Sequence, residues 1–517
     1  MSSQTDIAAP RPSRIAAAIA GAVAGAAALA ASELLAGLVA GAPSLIISVG
    51  ALVIALQPPG AKQFVVDLFG EADKLLLNLL ILVVALAGAT ILGIVARTRR
   101  RLAAAGFAVG GALALYAALQ DPLVDPLLSV MTALTSVAVA LWVLRALLRL
   151  AAQPQPTAEM PDWGRRRFIG TSLAVAGVAV GSGLIGRTLL SKGGGSQGAA
   201  VGPIPKPLET APPLPSGASL EVAGVAPIVI PNRDFYRIDT ALLVPRPNVE
   251  SWRVRVDGMV DRPFELTYDQ LLAMPLHEEY VTIACVSNEV GGHLVGNALW
   301  GGVRLRELLE RAGVQAGATQ IVGRSVDGWT SGFPTAWAMA SEREPLVAVA
   351  MNGEPLPAEH GYPARLIIPG LYGYVANTKW LAQIELTTLE AFDAYWVPLG
   401  WAKEGPILTQ SRIDTPRDGA QLSAGSVPVG GVAWAPDRGV SRVEVQVDDG
   451  EWSAAELSTP ISAATWVQFV YRWQASAGDH TLRVRATDGT GETQTADRTP
   501  PPPDGARGYH AVAVSVG

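Results

Sequence analysis

Apolar residues are distributed unevenly along this chain. Up to residue 190, Ala, Leu, Val, Ile and Gly dominate in long stretches. From residue 200 to 517, short apolar runs alternate with polar ones, and Trp, Pro and Asp are frequent. The first pattern is typical of helices inside a bilayer and the second of a globular protein. The sequence therefore predicts a membrane half followed by a water-exposed half.

Five segments approach or exceed the roughly 20 apolar residues that a bilayer span requires. They cover 14–40, 75–97, 102–120, 127–149 and 168–190. A sixth, 44–57, is too short, and we interpret it as a re-entrant or interfacial piece. The arginines within 11–14, 97–101 and 145–149 then all lie on the cytoplasmic side, as the positive-inside rule requires. Everything after residue 190 faces outward, which makes the chain a multi-pass protein of the cell membrane.

The predicted spans carry little chemistry of their own. No histidine precedes His277, so a bis-histidine haem is excluded from this half, and Glu33 lies toward one end of its segment. Intramembrane charges mark ion and proton paths, and here they are nearly absent. We interpret residues 1–190 as an anchor in the lipid bilayer, with partner contacts within it left open. A transporter with an external sensor domain is the weaker alternative.

The last span has a distinctive lead-in, in which Arg165 and Arg166 are followed by one spacer and then Phe168-Ile169. This arrangement resembles a twin-arginine export signal, and the alternative is an ordinary juxtamembrane arginine cluster. The twin-arginine route exports folded proteins. A genuine signal would therefore indicate a cofactor that is inserted in the cytoplasm before export.

Three further regions follow the spans. Residues 191–226 are rich in Gly and Pro and predict a flexible linker. Residues 227–403 mix strands with short helices and predict an α+β domain. Residues 404–517 contain alternating strands with turns at Asp449-Gly450 and Asp488-Gly489, which predicts an all-β immunoglobulin-like sandwich.

Several elements can be located within the α+β domain. Strands are predicted at 251–257, 319–325, 346–351, 364–368 and 381–386. A short helix is predicted from a Thr267 cap to Met274. An amphipathic helix is predicted from Trp300 to Gly313, because residues 305, 308, 309 and 312 are apolar and Gly313 can close it.

Charge and cysteine content exclude several classes of function. The net charge is −6 and the water-exposed half has no basic run, which argues against nucleic-acid binding. Cys285 is the only cysteine in 517 residues. A disulfide framework, a four-cysteine zinc site, a cysteine-ligated iron–sulfur cluster and a Cys-x-x-Cys-His haem attachment are therefore excluded.

Cys285 stands where a predicted strand meets a loop. Apolar and β-branched residues precede it, and Ser287, Asn288 and the pair Gly291-Gly292 follow it. A thiolate at a strand end suits metal ligation or nucleophilic chemistry. The alternative is an inert buried thiol that behaves as a small hydrophobic residue.

The motifs around Cys285 resemble those of the sulfite oxidase family of molybdopterin enzymes over about residues 227–400. The matching features occur in the family's order. They are Cys285-x-x-Asn288, Trp300-Gly301-Gly302-Val303-x-Leu305, Asp327-Gly328, Met351-Asn352-Gly353-Glu354-Pro355 with His360-Gly361-Tyr362-Pro363-x-Arg365, Pro369-Gly370, and Asn377-Thr378-Lys379-Trp380.

This resemblance implies that Cys285 ligates molybdenum and that the cofactor is a single molybdopterin (Mo-molybdopterin). It also implies which residues contact the cofactor: Asn232, Arg233, Phe235, Tyr236, Asn288, Asp327, His360, Arg365, Asn377, Thr378 and Lys379. In the family the second domain forms a homodimer; a passive spacer is the alternative role for residues 404–517.

The chemistry of these residue types agrees with that implication. Arg365 and Lys379 can bind the terminal phosphate of a pterin, and the His360 imidazole can hydrogen-bond the heteroatoms of the ring. A molybdenum centre with two dithiolene sulfurs accepts a further thiolate such as Cys285. Taken one at a time, each of these residues could instead be an ordinary loop or surface residue.

The chain departs from the sulfite-oxidising pattern near the cysteine. Glu289 and Val290 stand where sulfite oxidisers carry two arginines, one of which binds the anionic substrate, and an anion there disfavours sulfite. At the position of the family's active-site tyrosine, five residues after Trp396, stands Trp401, which can line a pocket but is not an acidic phenol. Arg233 is the remaining candidate for a catalytic cation near the metal.

The sequence therefore predicts a membrane-anchored, extracytoplasmic molybdenum oxidoreductase. It would transfer an oxygen atom to or from a small oxo donor or acceptor, with sulfoxide reduction as one form, and would exchange electrons with a separate carrier. The alternative from another class is a non-catalytic surface binding or assembly protein on a degenerate sulfite oxidase fold, suggested by Glu289 and Trp401.

Overall fold

The computed structural model describes residues 12–58, 73–152, 163–192, 202–340 and 342–517. The chain forms two compact units. The first comprises Met1–Gly198 and Ala241–Arg246, and the second comprises Ala199–Thr240 and Pro247–Gly517.

The first unit is helical. Its helices are α1 (Arg14–Leu38), α2 (Leu45–Ala55), α3 (Asp73–Ala96), α4 (Arg100–Ala118), α5 (Pro126–Ala151) and α6 (Trp163–Ser191). All but α2 are long and apolar enough to cross a membrane, judged by length and composition alone. The first four predicted spans agree with α1, α3, α4 and α5 to within two residues at either end. Helix α6 begins five residues earlier than predicted, so Arg165 and Arg166 lie within its first turn.

Helix α1 packs against α3, α5 and α6 at the centre of this unit. The closest approaches occur at glycines: a Cβ on Gly21 would lie 2.8 Å from the Gly93 Cα, and one on Gly37 would lie 2.9 Å from the Gly186 Cα. Small residues at such crossings let helix backbones touch. Near the carboxyl end of α1, the buried Glu33 accepts a hydrogen bond from Ser44 and pairs with Arg187 at 3.4 Å.

The second unit begins with an α+β domain that contains two five-stranded sheets. Its strands are β1 (Arg253–Gly258), β2 (Phe264–Thr267), β3 (His277–Ala284), β4 (Val295–Arg304), β5 (Gln320–Ser325), β6 (Thr330–Pro334), β7 (Leu346–Met351), β8 (Glu354–Pro355), β9 (Arg365–Ile367) and β10 (Leu381–Thr387). One sheet has the order β2-β1-β10-β5-β6, and the other has the order β3-β4-β7-β8 with β9 paired to β7. The four helices of this domain are α7 (Tyr268–Leu272), α8 (Leu305–Ala312), α9 (Thr335–Met339) and α10 (Gly373–Ala376).

The predicted helix from Trp300 is only partly correct. Residues up to Arg304 belong to strand β4, and the helix α8 begins at Leu305 and ends at Gly313 in a left-handed conformation. Residues 300–304 pair with β7, and Gly302 has no room for a side chain because a Cβ there would lie 2.6 Å from the Ala348 Cα. Pairing on both sides of β4 therefore decides the strand, although the local sequence fits a helix. By contrast, α7 starts from a Thr267 capping box, as predicted.

The segment from residue 202 to 226 differs from the flexible linker expected there. The Glu209 backbone bridges His277 at the start of β3, and the Leu208 N–H donates to the Leu276 carbonyl at 2.8 Å. Farther along, the Leu220 N–H donates to the Gln468 side chain at 2.8 Å. These backbone groups have hydrogen-bond partners in the second unit, so residues 202–226 form an ordered segment that packs on that unit.

Residues after Gln410 form the predicted β-sandwich. Its strands are β11 (Gln410–Thr415), β12 (Ala420–Leu422), β13 (Gly425–Trp434), β14 (Val440–Val447), β15 (Ser453–Ala454), β16 (Glu456–Leu457), β17 (Val467–Ala475), β18 (Gly478–Asp488) and β19 (His510–Val516). One sheet has the order β11-β13-β17-β16 and the other β12-β19-β18-β14-β15. Trp466 is fully buried and joins the sandwich to the α+β domain: its ring N–H donates to the Ile228 carbonyl at 2.8 Å, and its backbone N–H donates to the Thr282 hydroxyl at 2.8 Å.

Candidate active site

Cys285 is the first residue after β3, as the sequence predicts, and only 8% of its surface is exposed. Its backbone N–H donates to the Leu294 carbonyl at 2.9 Å, and its own carbonyl accepts the Asn288 N–H at 3.1 Å. These two bonds close a loop that leads from β3 to β4. The thiol is therefore held at the end of a buried strand by a compact, hydrogen-bonded loop.

Asn288 lies inside this loop. Its side-chain oxygen accepts the Leu294 N–H at 2.8 Å, while its Nδ2 is buried and has no hydrogen-bond partner among the described residues. An unpaired buried amide donor costs about 1–3 kcal/mol. The loop therefore presents a donor beside the thiol that a bound molecule could satisfy.

The half-buried phenol of Tyr236 lies close enough to Cys285 and to Arg365 for the charges of both to affect its pKa. Burial raises the pKa of Tyr236, the neighbouring Cys285 raises it further, and the Arg365 guanidinium opposes the rise. The adjacent Phe235 packs edge-on against Trp300 and His360 at centroid distances of 5.9 and 5.7 Å. Aromatic side chains thus pack around His360 and Arg365.

Arg365 is almost fully buried, with 3% of its surface exposed. Its Nη1 donates to the His360 carbonyl at 3.0 Å, its guanidinium carbon lies 5.0 Å from the centre of the Trp300 ring, and its Nε has no partner among the described residues. Burial lowers the pKa of Arg365 to about 10, so it stays charged at neutral pH. A buried cation with a free donor is costly unless an anion binds there.

His360 is a neutral imidazole in this setting. Burial lowers its pKa to about 4, and the charges of Arg365 and Lys379 lower it further. Its Nε2 lies 3.1 Å from the Asn232 carbonyl oxygen, which can only accept, so the proton is on Nε2 and Nδ1 is the free acceptor. Asn232 is itself held in place, because its Nδ2 donates to the Met351 carbonyl at 3.1 Å.

Lys379 is the second buried cation. Its Nζ lies 3.2 Å from Asp239 Oδ2 and donates to the Glu359 carbonyl at 2.9 Å. Burial lowers the pKa of Lys379 to about 8, against the opposing effect of Asp239. Asp239 also pairs with Arg237 at 2.8 Å, so it compensates two cations at once. The net charge of this group is positive, which suits an anionic ligand.

The remaining predicted contacts lie around these cations. Asn377 accepts the Ile368 N–H at 3.1 Å, and its buried Nδ2 is a further donor without a partner among the described residues. Thr378 is fully buried and its hydroxyl lies 2.6 Å from that of Ser331. Burial raises the pKa of Asp327, whose carboxylate accepts the Trp329 N–H at 3.2 Å and is close enough to Asp239 to be affected by its charge.

This arrangement fits a molybdopterin. It offers one soft thiol at one end, two buried cations at the other, and unpaired buried donors on Asn288, Asn377 and Arg365. Among the described residues no three His, Cys, Asp or Glu side chains converge to hold a metal ion. The protein thus supplies a single thiolate, and a metal bound here needs a ligand-bearing cofactor for its other positions.

The other two residues with predicted catalytic roles are Arg233 and Trp401. The Arg233 side chain is 86% exposed and pairs with Asp234 at 3.3 Å, because the short 3₁₀ turn Asn232–Asp234 directs it to the surface while Phe235 points inward. Trp401 packs against Tyr374 and Trp396 at centroid distances of 5.9 and 6.4 Å. Trp401 does not line the nearby cavity of about 40 Å³, which is bounded by Phe333, Pro334, Trp337, Leu371, Val375 and residues 403–406.

Glu289 follows Asn288 in the loop and is exposed to solvent. Val290, half-buried, follows it. The loop therefore replaces the expected arginine pair by a surface carboxylate and an apolar side chain.

Sequence reasoning missed several residues of the site. Asp239 escaped notice because nothing local marks it as the partner of a lysine 140 positions away. Trp300 was part of a recognised motif but was not assigned to the site. Tyr372 is buried just before α10. Burial raises its pKa, the hydrogen bond from the Leu408 N–H opposes the rise, and the nearby Cys285 adds to it. The sequence feature that could have pointed to Tyr372 is the pair of closely spaced tyrosines in Tyr372-Gly373-Tyr374.

Comparison with known proteins identifies the domain. The oxidoreductase molybdopterin-binding domain family matches residues 241–396, and the bacterial Ig domain family matches residues 410–484. Mitochondrial sulfite oxidase from Mus musculus is 30% identical over 305 residues, which are 50% of this chain and 55% of that protein. Nitrate reductase [NADH] 1 from Oryza sativa subsp. japonica is 28% identical over 272 residues, which are 42% of this chain and 30% of that protein.

A solved structure was also found, the sulfane dehydrogenase SoxCD from Paracoccus pantotrophus. It is 23% identical and superimposes with a TM-score of 0.47, over 53% of this chain and 76% of that one. The chain spans about half the length of the mouse sulfite oxidase. The sequence matches agree with the motif order around Cys285: residues 241–396 form an oxidoreductase molybdopterin-binding domain, and the chain is similar in sequence to sulfite oxidases.

Proposed function

We propose that this chain is a membrane-anchored molybdenum oxidoreductase whose catalytic unit lies on the extracytoplasmic side. It transfers an oxygen atom to or from a small substrate and exchanges electrons with a separate carrier. One observation carries the proposal: the buried Cys285 follows strand β3, and the buried, incompletely paired cation Arg365 lies over Trp300 in the adjacent strand β4.

The proposed cofactor is Mo-molybdopterin, held by the buried residues of the candidate active site. Cys285 would supply a thiolate to the metal, and Arg365 and Lys379 would balance the phosphate charge. The Nδ1 acceptor of His360 and the unpaired Nδ2 donors of Asn288 and Asn377 would be available to hydrogen-bond the cofactor. When bound, molybdenum in a pterin dithiolene changes oxidation state by two electrons, which is the chemistry that oxygen-atom transfer requires.

The protein contributes binding, orientation and exclusion of water. Cys285 is buried, with 8% of the residue surface exposed, so competing reactions of the thiol with solvent species are suppressed. The phenol of Tyr236 keeps its proton at neutral pH because burial raises its pKa. It can therefore donate a hydrogen bond beside Cys285 without adding negative charge.

The substrate side of the site favours a neutral oxo compound over sulfite. Arg233 and Glu289 are both exposed, and Arg412, which contacts the loop, is paired with Asp414 at 2.6 Å. A dianion needs uncompensated cations in its pocket. Sulfoxides and similar acceptors need only hydrogen-bond donors, and reduction of a sulfoxide to a sulfide consumes two electrons and two protons and releases water.

Metal analysis combined with one substitution tests the proposal. Protein made with intact cofactor synthesis is expected to contain about one molybdenum and one pterin per chain. Cys285→Ser should keep the pterin, change the electron paramagnetic signal of the partly reduced metal, and abolish turnover with sulfoxides. A metal content far below one per chain in the wild type would instead support the non-catalytic binding protein.

Location is tested separately. We propose that Arg165 and Arg166 belong to a twin-arginine signal and that residues 1–190 serve as the anchor. Replacing both arginines by lysine should leave the catalytic unit protected from protease added outside intact cells. Unchanged protease access would contradict the export signal but would leave the enzymatic proposal standing.

A further inference from the structure

Two residues of the β-sandwich reach the loop that follows Cys285. The Arg412 Nη1 donates to the Gly292 carbonyl at 2.8 Å, and the His510 ring lies against Gly291. Arg412 is in β11, and His510 is the first residue of β19. The β-sandwich therefore directly contacts the loop between β3 and β4, called the metal-ligand loop below. The contacting residues are 120 or more positions apart in sequence.

The Arg412 contact is held in a fixed direction. The guanidinium Nε donates to Asp414 Oδ1 at 2.6 Å, and Asp414 Oδ2 in turn accepts the Ala226 N–H at 2.9 Å. Both side chains are largely buried, at 12% and 10% exposure. Because a guanidinium is planar, pairing one edge with Asp414 fixes the direction in which Nη1 approaches Gly292.

The His510 contact is equally constrained. Its Nδ1 accepts the Ile413 N–H at 3.0 Å, so the neutral ring carries its proton on Nε2. Gly291 has φ +82°, and a Cβ at this position would collide with the His510 ring. Gly291 is therefore needed both for its backbone conformation and for the space that the ring occupies.

We propose that Arg412 and His510 are positioning residues of the Cys285 site, so that the docked β-sandwich sets the geometry of the metal-ligand loop. This inference rests on the proposed function of Cys285. It gives the sandwich an intramolecular role in the active site beyond that of a spacer or dimer contact. Both residues act through the backbone of Gly291-Gly292, without touching the substrate.

The single cysteine makes a direct test feasible. Cys285 is the only thiol in the chain, so alkylation by iodoacetamide reports its accessibility in full-length apoprotein without ambiguity. R412K keeps a positive charge that can pair with Asp414 but lacks the second guanidinium nitrogen that donates to Gly292. H510F keeps an aromatic ring but lacks the nitrogen that accepts the Ile413 N–H. Each variant is expected to be alkylated at least fivefold faster than wild type. H510Q, whose amide oxygen can accept the Ile413 N–H, should fall between H510F and wild type.

The matched control is R485Q. Arg485 pairs with Glu444 at 2.9 Å within the sandwich, and its variant should react at the wild-type rate. Alkylation of R412K and H510F within twofold of wild type, with thermal unfolding unchanged, would overturn the proposal. If one of the two fails to fold, the other decides. Since the assay uses apoprotein, the absence of molybdenum from wild-type preparations would refute the proposed function and leave this test unaffected.

In holoprotein, the same variants should lose bound molybdenum on gel filtration several-fold faster than wild type and R485Q. A residue that only stabilised the sandwich would lower the unfolding temperature without changing metal retention below that temperature. Retention equal to that of the wild type in both R412K and H510F would count against the positioning role.

Discussion

The Lys379 ammonium nitrogen lies 3.2 Å from the Asp239 carboxylate, and only 11% and 6% of these two side chains are exposed. Arg237 approaches the same carboxylate at 2.8 Å. One acidic residue therefore stabilises two cations in a region where burial disfavours charge. The cation that would bind the cofactor's phosphate is prearranged by a residue just three positions after Tyr236.

Asp239→Asn should destabilise the catalytic unit by about 3 kcal/mol, because it leaves the buried Lys379 without a carboxylate. The pKa of Lys379 should fall below its present value of about 8. Thermal unfolding of the purified apoprotein measures the first effect. Asp449→Asn is the control, since Asp449 is 97% exposed and its pairing with Arg483 should contribute less than about 0.5 kcal/mol. Equal unfolding temperatures for the two variants would contradict the prediction.

The lowered pKa of His360 predicts that the folded protein becomes less stable in acid. Its folded pKa is about 4 and its unfolded value about 6.5, so the unfolded chain binds the extra proton between these pH values. Stability should therefore decrease as pH falls from 6.5 to 4, by about 3 kcal/mol for this group. His360→Gln should remove that part of the pH dependence, as measured by unfolding temperature from pH 7 to pH 4.

The control for His360 is the half-buried His480, whose pKa is raised by its hydrogen bond to Asp448. A raised pKa has the opposite sign, since it adds stability below the unfolded value and loses it as pH rises. His480→Gln should therefore leave the acid-side decrease in place. A wild-type slope in His360→Gln would show that another group is responsible.

The raised pKa of Glu279 predicts that removing the charge of this side chain stabilises the protein above neutral pH. Burial, with the nearby Glu344 charge, raises the pKa of Glu279 to about 7, so the folded chain keeps a proton that the unfolded chain has lost above pH 4.5. Stability from this group is present at low pH and is lost as pH rises through 7. Glu279→Gln should raise stability by about 1–2 kcal/mol at pH 8 and change little at pH 5. Glu265→Gln, on the exposed face of β2, should show no such difference.

Gly296→Ala should disturb the aromatic side of the site. A Cβ on Gly296 would lie 2.8 Å from a ring carbon of Phe235, whose ring packs against His360 and Trp300. Overpacking of this kind costs about 1–3 kcal/mol. The expected result is a lower unfolding temperature and reduced pterin content by fluorescence after release. Adding Phe235→Leu should restore part of the stability, and a double variant no better than the single one would refute the steric reason.

Local sequence was sufficient wherever a short-range pattern decides the structure. The apolar runs fixed five helices by length, since a span depends only on how many consecutive residues avoid water. Alternating residues located most strands of the second unit, and the Thr267 cap located α7. The order of motifs after Cys285 predicted the molybdopterin-binding domain at 241–396, because each motif stands in one contiguous stretch.

Tertiary structure decided what depends on partners distant in sequence. Residues 300–304 fit a helix locally but became a strand, because β3 and β7 satisfy their backbone on both sides. Arg233 was exposed because a single 3₁₀ turn set its direction, and the segment from 202 to 226 was ordered by backbone bonds to β3 and to Gln468. The carboxylate beside Lys379 and the sandwich residues beside Gly291-Gly292 came from far along the chain. Pairing of buried charges and steric fit act through space, so no local pattern around Lys379 or Cys285 records them.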